Sequence, residues 1–294
     1  MFSISQTSRG FFCLEWSSTE DGPKIISLDH IKIKNNFLEK STLKKIITNY
    51  NLSIKDESNS LAVTINIDNV LISSVDTFQD KENDKIISWY ESNIMGKDFC
   101  DNYYNYYYPM SCSDKSRFLI VSLPKKIKNN IIDSSNQLGF NIIYLSIDIF
   151  SAAVLVQHIY RSVISDKYII WKICENNSHI IILYNKNKIK AFVRVKKRSK
   201  IFVSDYSIGS KSDIDMIINC VNDILIKKSY YDMIENIFIY QTKRDLKVIK
   251  DVMNLNHKNL KILNFNKLIK DNTKNTLKYI YYVENGISFK GLDL

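Results

Sequence analysis

Side chains able to do chemistry are few and scattered in this sequence. The four histidines, His30, His158, His179 and His257, show no metal-ligand spacing, and none lies four residues from another histidine or beside a matching carboxylate. Structural or surface roles suit them better than ligation or triad chemistry. The five cysteines (Cys13, Cys100, Cys112, Cys174, Cys220) form no C-x-x-C pair, which fits reduced thiols better than bridges or a zinc site. No G-x-S-x-G, Walker A or G-x-G-x-x-G run exists, so the standard hydrolase and nucleotide loops are absent. Two surface features remain. Arg194, Lys196, Lys197, Arg198 and Lys200 form a basic run leaving a strand, either a solvated hairpin loop or a contact for an acidic partner or anionic lipid. The tyrosines at 103, 104, 106, 107 and 108 are too many for one core face, since only alternate strand positions point inward. Tyr104, Tyr106 and Tyr108, with Lys196, Lys197 and Arg198, are therefore the candidate partner contacts, unless a neighbouring helix covers both faces of that strand.

The chain that must position these residues has 294 of them, enough for roughly two domains and a core that needs no disulfide or metal. An apolar content of 45% and a charged content of 24% exclude disorder, collagen-like repeats and a disulfide scaffold. The formal charge of +10 invites a nucleic-acid reading. However, 46 Ile, 35 Lys and 30 Asn against 7 Gly, 3 Pro and 6 Arg is what AT-rich codons write, and the lysines are dispersed. No groove-reading motif accompanies them, so no DNA partner is expected. The start of the chain has Arg9 but no long apolar run, and the stretch 142–156 is broken by Ser146, Asp148 and Ser151. It is too short to span a bilayer, and a soluble cytoplasmic protein is expected.

Phe11–Trp16 and Lys24–Ile33 read as a hairpin around the turn Glu20-Asp21-Gly22-Pro23, followed by a helix behind Ser41. Leu61–Val75 reads as one or two strands, Gln79–Met95 as a helix, and Tyr103–Tyr108 and Phe118–Leu123 as strands. A helix from Pro124 to Leu138 ends at Gly139, and a strand (Ile142–Ile147) and a helix (Asp148 to about Arg161) follow. Tyr168–Ile173, Ile180–Tyr184 and Ile189–Arg194 form a meander. After it come a helix from Ser212, a strand (Ile237–Tyr240), a helix (Asp245–Met253), a strand (Leu260–Phe265) and a final helix near 275–284. Strands alternating with helices imply parallel pairs with helices on the sheet faces.

This layout resembles the actin-like (ribonuclease H-like) α/β fold: two lobes, each opening with a hairpin meander, with a small α+β subdomain inserted in the first. In particular it resembles the PilM family of type IV pilus assembly, related to FtsA and to the cytoplasmic part of GspL in type II secretion. The resemblance is carried by FCLEWSS (12–18), by LIVSLPKKIKNNIIDSSNQLGFNIIYLSIDIFSAAVLV (119–156), by YIIWKICENNSHIIILYNKNKIKAFVRVK (168–196) and by ENGISFKGL (284–292). It implies a first-lobe start at 1–60, an insertion at 61–147, a closing helix at 148–165 and a second lobe at 166–294.

An active member of the fold carries Asp-x-Gly in its first phosphate loop, because Asp orients Mg²⁺ or water and Gly lets the backbone approach phosphate. That place is read here as Glu15-Trp16-Ser17, the second loop as Lys172-Ile173-Cys174-Glu175, and the adenosine loop as Gln241-Thr242-Lys243. The resemblance thus implies a pseudo-ATPase. Its vestigial nucleotide cleft would hold Ser17, Ser18, Glu175 and Asn176, and Lys172, as a strand lysine, is expected to face solvent. No cofactor is expected, ATP with Mg²⁺ being the ligand if the cleft retains one. The implied role is a non-catalytic scaffold held at the inner membrane by a partner. It would bind the cytoplasmic tail of a PilN-like membrane protein in a first-lobe groove, alongside other pilus or secretion platform proteins or further copies of itself. The alternatives are an active actin-fold ATPase or small-molecule kinase, and a basic nucleic-acid-binding protein.

Overall fold

The computed structural model describes residues 1–7, 10–20, 22–32, 39–49, 59–77, 83–111, 116–174, 178–229, 233–241, 247–255, 257–264 and 276–290. In chain order the elements begin with strands β1 (Phe2–Thr7), β2 (Gly10–Thr19) and β3 (Gly22–Ile31), helix α1 (Lys40–Asn49), and strands β4 (Ser60–Ile65) and β5 (Leu71–Thr77). Helices α2 (Asn83–Tyr90) and α3 (Lys97–Asn102) flank a π-helical turn at Glu91–Met95. Strands β6 (Tyr103–Met110) and β7 (Ser116–Pro124), helix α4 (Lys125–Asn136), strand β8 (Asn141–Ile147) and helix α5 (Asp148–Ile159) follow. The rest comprises β9 (Lys167–Ile173), β10 (Ser178–Asn185), β11 (Lys188–Arg198), β12 (Ile201–Ile208), α6 (Lys211–Asn222), β13 (Asn236–Gln241), α7 (Lys247–Asn254) and β14 (Leu260–Ile262). A second π turn extends α6 over Asp223–Lys227, and a 3₁₀ segment, Thr276–Phe289, closes the described chain. No helix among the described residues is long and apolar enough to cross a membrane.

The chain divides into two units. The first comprises Met1–Asn69, Pro124–Arg161 and Asn264–Leu294. Its sheet has the order β3-β2-β1-β4-β8. The first three strands form an antiparallel meander, and β4 and β8 add in parallel, as the crossovers through α1 and α4 require. All six residues of β1 are buried, Phe2 and Ile4 as well as Ser3 and Ser5. A central strand covered on both faces has no solvent side for its polar residues.

The second unit comprises Val70–Leu123 and Ser162–Leu263. Its sheet runs β14-β13-β9-β10-β11-β6-β7-β5, with β12 also paired to β11. Within it, β9, β10 and β11 form an antiparallel meander, and β13 and β14 add in parallel on the β9 side. The arrangement of the first unit is therefore built a second time. Near-continuous apolar runs, YIIWKI in β9 and HIIILY in β10, are buried on both faces, as such positions demand.

Three boundaries differ from the sequence expectation. The segment expected as one insertion, 61–147, is shared: β4, α4 and β8 build the first unit's sheet and its covering, and only Val70–Leu123 leaves for the second unit. The reason is pairing, since β4 joins β1 along Leu61–Thr64, whereas β6 meets β11 at Met110 and Ile189. The C-terminal segment belongs to the first unit rather than to the second lobe, because it packs on α5. It is also a 3₁₀ rather than an α-helix. Two strands, β1 and β12, are additions that the apolar pattern does not announce, since their alternating positions hold Ser, Gln, Asp and Thr.

Candidate functional site: the carboxyl ends of the central strands

Open α/β sheets bind ligands outside the carboxyl ends of their parallel strands, where main-chain donors and helix N-termini are exposed. In the first unit these ends belong to β1, β4 and β8. There β1 finishes in Ser5-Gln6-Thr7, β4 runs into Asn66, and β8 hands over to Asp148. Gln6 Oε1 accepts from Asn69 Nδ2 at 2.9 Å and from the Asn66 N–H at 3.4 Å. Asp148 is fully buried; its Oδ2 accepts from the Ile67 N–H at 2.9 Å and its Oδ1 from the Ile149 N–H at 2.6 Å. That carboxylate holds the end of β4 to the start of α5, a capping role that the helix dipole favours. Amides, rather than a carboxylate free to orient Mg²⁺ or water, thus crowd the end of β1.

The turn that follows β1 is closed by Thr7 Oγ1 donating to the Gly10 carbonyl at 3.0 Å. Ser8 and Arg9 of this turn lie outside the described residues. Gly10 has φ +136°, and a Cβ there would sit 2.0 Å from the Ile31 carbonyl oxygen. Glycine is required at this position for the approach of β3.

Behind these ends a buried polar seam joins the sheet, α5 and the C-terminal 3₁₀ segment. Ser151 Oγ donates to the Glu284 carbonyl at 2.6 Å and accepts from the Ile287 N–H at 2.8 Å. Ser5 Oγ donates to Glu284 Oε2 at 3.3 Å, and Asn285 Nδ2 donates to Ser3 Oγ at 3.0 Å and to the Phe12 carbonyl at 3.2 Å. Trp16 Nε1 reaches Ser288 Oγ at 3.2 Å. A Cβ on Gly286 would lie 2.5 Å from the Ser151 carbonyl oxygen and 2.7 Å from Leu155 Cβ, so the segment docks at backbone-contact distance.

In the second unit the corresponding ends are Lys172-Ile173 of β9 and Tyr240-Gln241 of β13, which pair in register. Lys172 is buried rather than solvent-facing, because β9 lies at the centre of the sheet with both faces covered. Glu175 and Asn176, expected at the following turn, lie outside the described residues, as do Thr242 and Lys243. Nearby, the Trp171 indole N–H donates to His179 Nδ1 at 3.0 Å. Burial lowers the His179 pKa to about 3, so the ring is neutral with its proton on Nε2.

The remaining candidates fall elsewhere. Ser17 and Ser18 pair with Lys24 and Pro23 at the outer end of the β2–β3 hairpin, past Trp16, whose N–H bonds the Met1 carbonyl. They sit beyond the amino end of β1, the opposite end of the sheet from the phosphate-binding side, because β2 runs antiparallel to β1. The first loop is instead the β1–β2 turn around Ser5–Gly10, signalled in sequence by Phe2-x-Ile4 and by Gly10. Tyr106 is exposed, but Tyr104 and Tyr108 are half-buried along with Tyr103 and Tyr107, so β6 does not split into a wet and a dry face. Tyr107 Oη donates to Glu91 Oε1 at 2.5 Å, and burial with that partner raises its pKa. Burial likewise raises that of Tyr108. Lys196 pairs with Asp205 at 2.6 Å, while Lys197 and Arg198 are exposed at the end of the β11–β12 hairpin. Among the described residues no three His, Cys, Asp or Glu side chains group as metal ligands.

A meander of three strands followed by two parallel strands, built twice along one chain, defines an actin-like (ribonuclease H-like) α/β protein. Solved structures agree. The chain has the fold of the structure titled PilM-PilN type IV pilus biogenesis complex, with a TM-score of 0.64 and 10% identity over 100% of this chain and 98% of that one. The cytoplasmic domain of EpsL, an inner-membrane component of the type II secretion system of Vibrio cholerae, aligns with a TM-score of 0.45 and 9% identity over 87% and 93% of the two chains. A Ppx/GppA phosphatase of Aquifex aeolicus aligns with a TM-score of 0.36 and 8% identity over 81% and 66%. No family model matches the sequence, and no curated protein is similar to it in sequence.

Proposed function

We propose that the protein is a non-catalytic scaffold of a type IV pilus or secretion-like inner-membrane platform, and that it binds the cytoplasmic tail of a PilN-like membrane protein. The observation that carries this reading is the end-to-end fold likeness to the chain solved in a PilM-PilN complex. A platform component of this kind works on the cytoplasmic side and reaches the membrane through its partner. A short tail bound as an added strand or in a groove gains main-chain hydrogen bonds and a few apolar anchors.

The non-catalytic part of the reading rests on the first unit's own residues. Phosphoryl transfer depends on a metal-orienting carboxylate and on backbone that can close on phosphate. The end of β1 offers Ser5, Gln6 and Thr7 in that place, and Asp148 is engaged by two main-chain N–H groups. The test is a pulldown and a titration with synthetic N-terminal tails of membrane proteins encoded beside this gene. Saturable binding of one tail, lost on scrambling its sequence, supports the scaffold; failure of every neighbouring tail to bind overturns it.

A further inference from the structure

A second surface is carried by the helical segment between β5 and β6. From residue 85 to 102 none of the side chains is fully buried, although the segment holds Ile86, Ile87, Trp89, Tyr90, Ile94, Met95 and Phe99. Trp89 is 57% and Ile94 58% exposed. Clustered large apolar side chains left uncovered are the mark of an interaction surface rather than of a finished core. The segment is also acidic within a basic chain: residues 83–102 hold Asp84, Glu91, Asp98 and Asp101 against Lys85 and Lys97. Glu91 is taken by Tyr107 and Asn105. Asp98 and Asp101 are exposed, and neither forms an ion pair among the described residues.

The same chain carries the complement of this surface. The β11–β12 hairpin turns at Ser199 and Lys200, with Ser199 at φ +54°. It exposes Lys197, Arg198 and Lys200, none of them ion-paired among the described residues, and beside them Ile201, 54% exposed. Each surface is thus an apolar anchor flanked by charges of one sign, and the two signs are opposite.

We propose that the β11–β12 hairpin of one copy docks on the α2–α3 segment of a second copy, Ile201 seating against Trp89 and Ile94 while Lys197, Arg198 and Lys200 face Asp98 and Asp101. A hairpin tip on a short helical pair is a small contact, so the association is weak and reversible. Its charge pairs are exposed, so salt loosens it.

The test is sedimentation velocity of the full chain up to about 200 μM, the range in which an interface at the small end of the known sizes shows itself. Self-association is expected at low salt and roughly tenfold weaker in ~0.5 M NaCl. Two reversed variants, Asp98→Lys with Asp101→Lys and Lys197→Glu with Arg198→Glu, are each expected to be monomeric with unchanged melting curves. Mixed together they are expected to associate, because one intact pairing of reversed sign is restored. Trp89→Ala is expected to weaken association without altering its salt dependence. A monomeric wild type, association indifferent to both reversals, or a mixture that stays monomeric each overturns the proposal. So does a Lys197→Glu, Arg198→Glu variant that loses binding to phosphatidylglycerol vesicles but keeps self-association, which assigns the hairpin to an anionic membrane.

Discussion

Gly10 shows how a single missing atom decides local structure. With φ +136° and the Ile31 carbonyl 2.0 Å from where a Cβ would stand, Gly10→Ala cannot be absorbed by a side-chain shift. The substitution is expected to lower stability by about 2–4 kcal/mol, read as a shift of the urea midpoint; an unchanged midpoint would show that β3 can yield. His179 makes a different residue-scale prediction. Its folded pKa of about 3 lies below the unfolded value of about 6.5, so between those pH values only the unfolded chain takes the proton. Stability is therefore complete above neutral pH and falls as pH drops through 6.5, by up to about 1.4 kcal/mol per pH unit, levelling off near pH 3. Equilibrium unfolding from pH 7 to 4 checks this against His179→Phe, which is expected to flatten the slope. An identical slope in the two proteins sinks the assignment. The buried histidine was readable as structural because it had no metal or triad spacing. That its partner is Trp171, eight residues away across the β9–β10 hairpin, needed the strand register.

Among the elements, the C-terminal 3₁₀ segment carries the strongest dependence. It fills the first unit with Ile280, Tyr282, Val283, Ile287 and Phe289, and it satisfies Ser3, Ser151 and Trp16. Its removal leaves buried polar groups without partners in addition to a cavity, each of which costs a few kcal/mol. Chains ending before Thr276 are expected to lose the cooperative melting of the first unit, measured by calorimetry; an undiminished transition would mean that the segment is an ornament. Asp148 makes a smaller claim. Asp148→Ala removes both main-chain contacts that join β4 to α5 and is expected to cost about 1–3 kcal/mol, with Asp148→Asn recovering part of it. The sequence marked Asp148 as the start of a helix, because an acidic residue precedes an apolar Ala-rich run. It did not mark the 3₁₀ geometry, which the close approach of Gly286 to Ser151 and Leu155 accompanies.

For the molecule as a whole, the reading as a scaffold predicts no response to nucleotide. Mg-ATP at 100 times the dissociation constant of a true site adds roughly 2.7 kcal/mol. That would raise the melting temperature by several degrees at ~2–4 °C per kcal/mol. No shift is expected. A clear shift would restore the enzyme alternative and send attention to the turns at 8–9 and 175–177.

The sequence by itself determined the class of the fold. Strand meanders, a Gly139 cap with φ +78°, and alternating helices are local signals, because turn chemistry and apolar period act over a few residues. These carried the resemblance that the solved structures match. Only the tertiary structure decided which strands pair. The polar-looking Phe2–Thr7 proved to be the central strand, since its serines are buried by residues nearly 280 positions away. That moved the first loop from Ser17 and Ser18 to the β1–β2 turn. It also divided 61–147 between two sheets. Pairing between distant segments is settled by which surfaces bury each other, and no short window of sequence contains both of them.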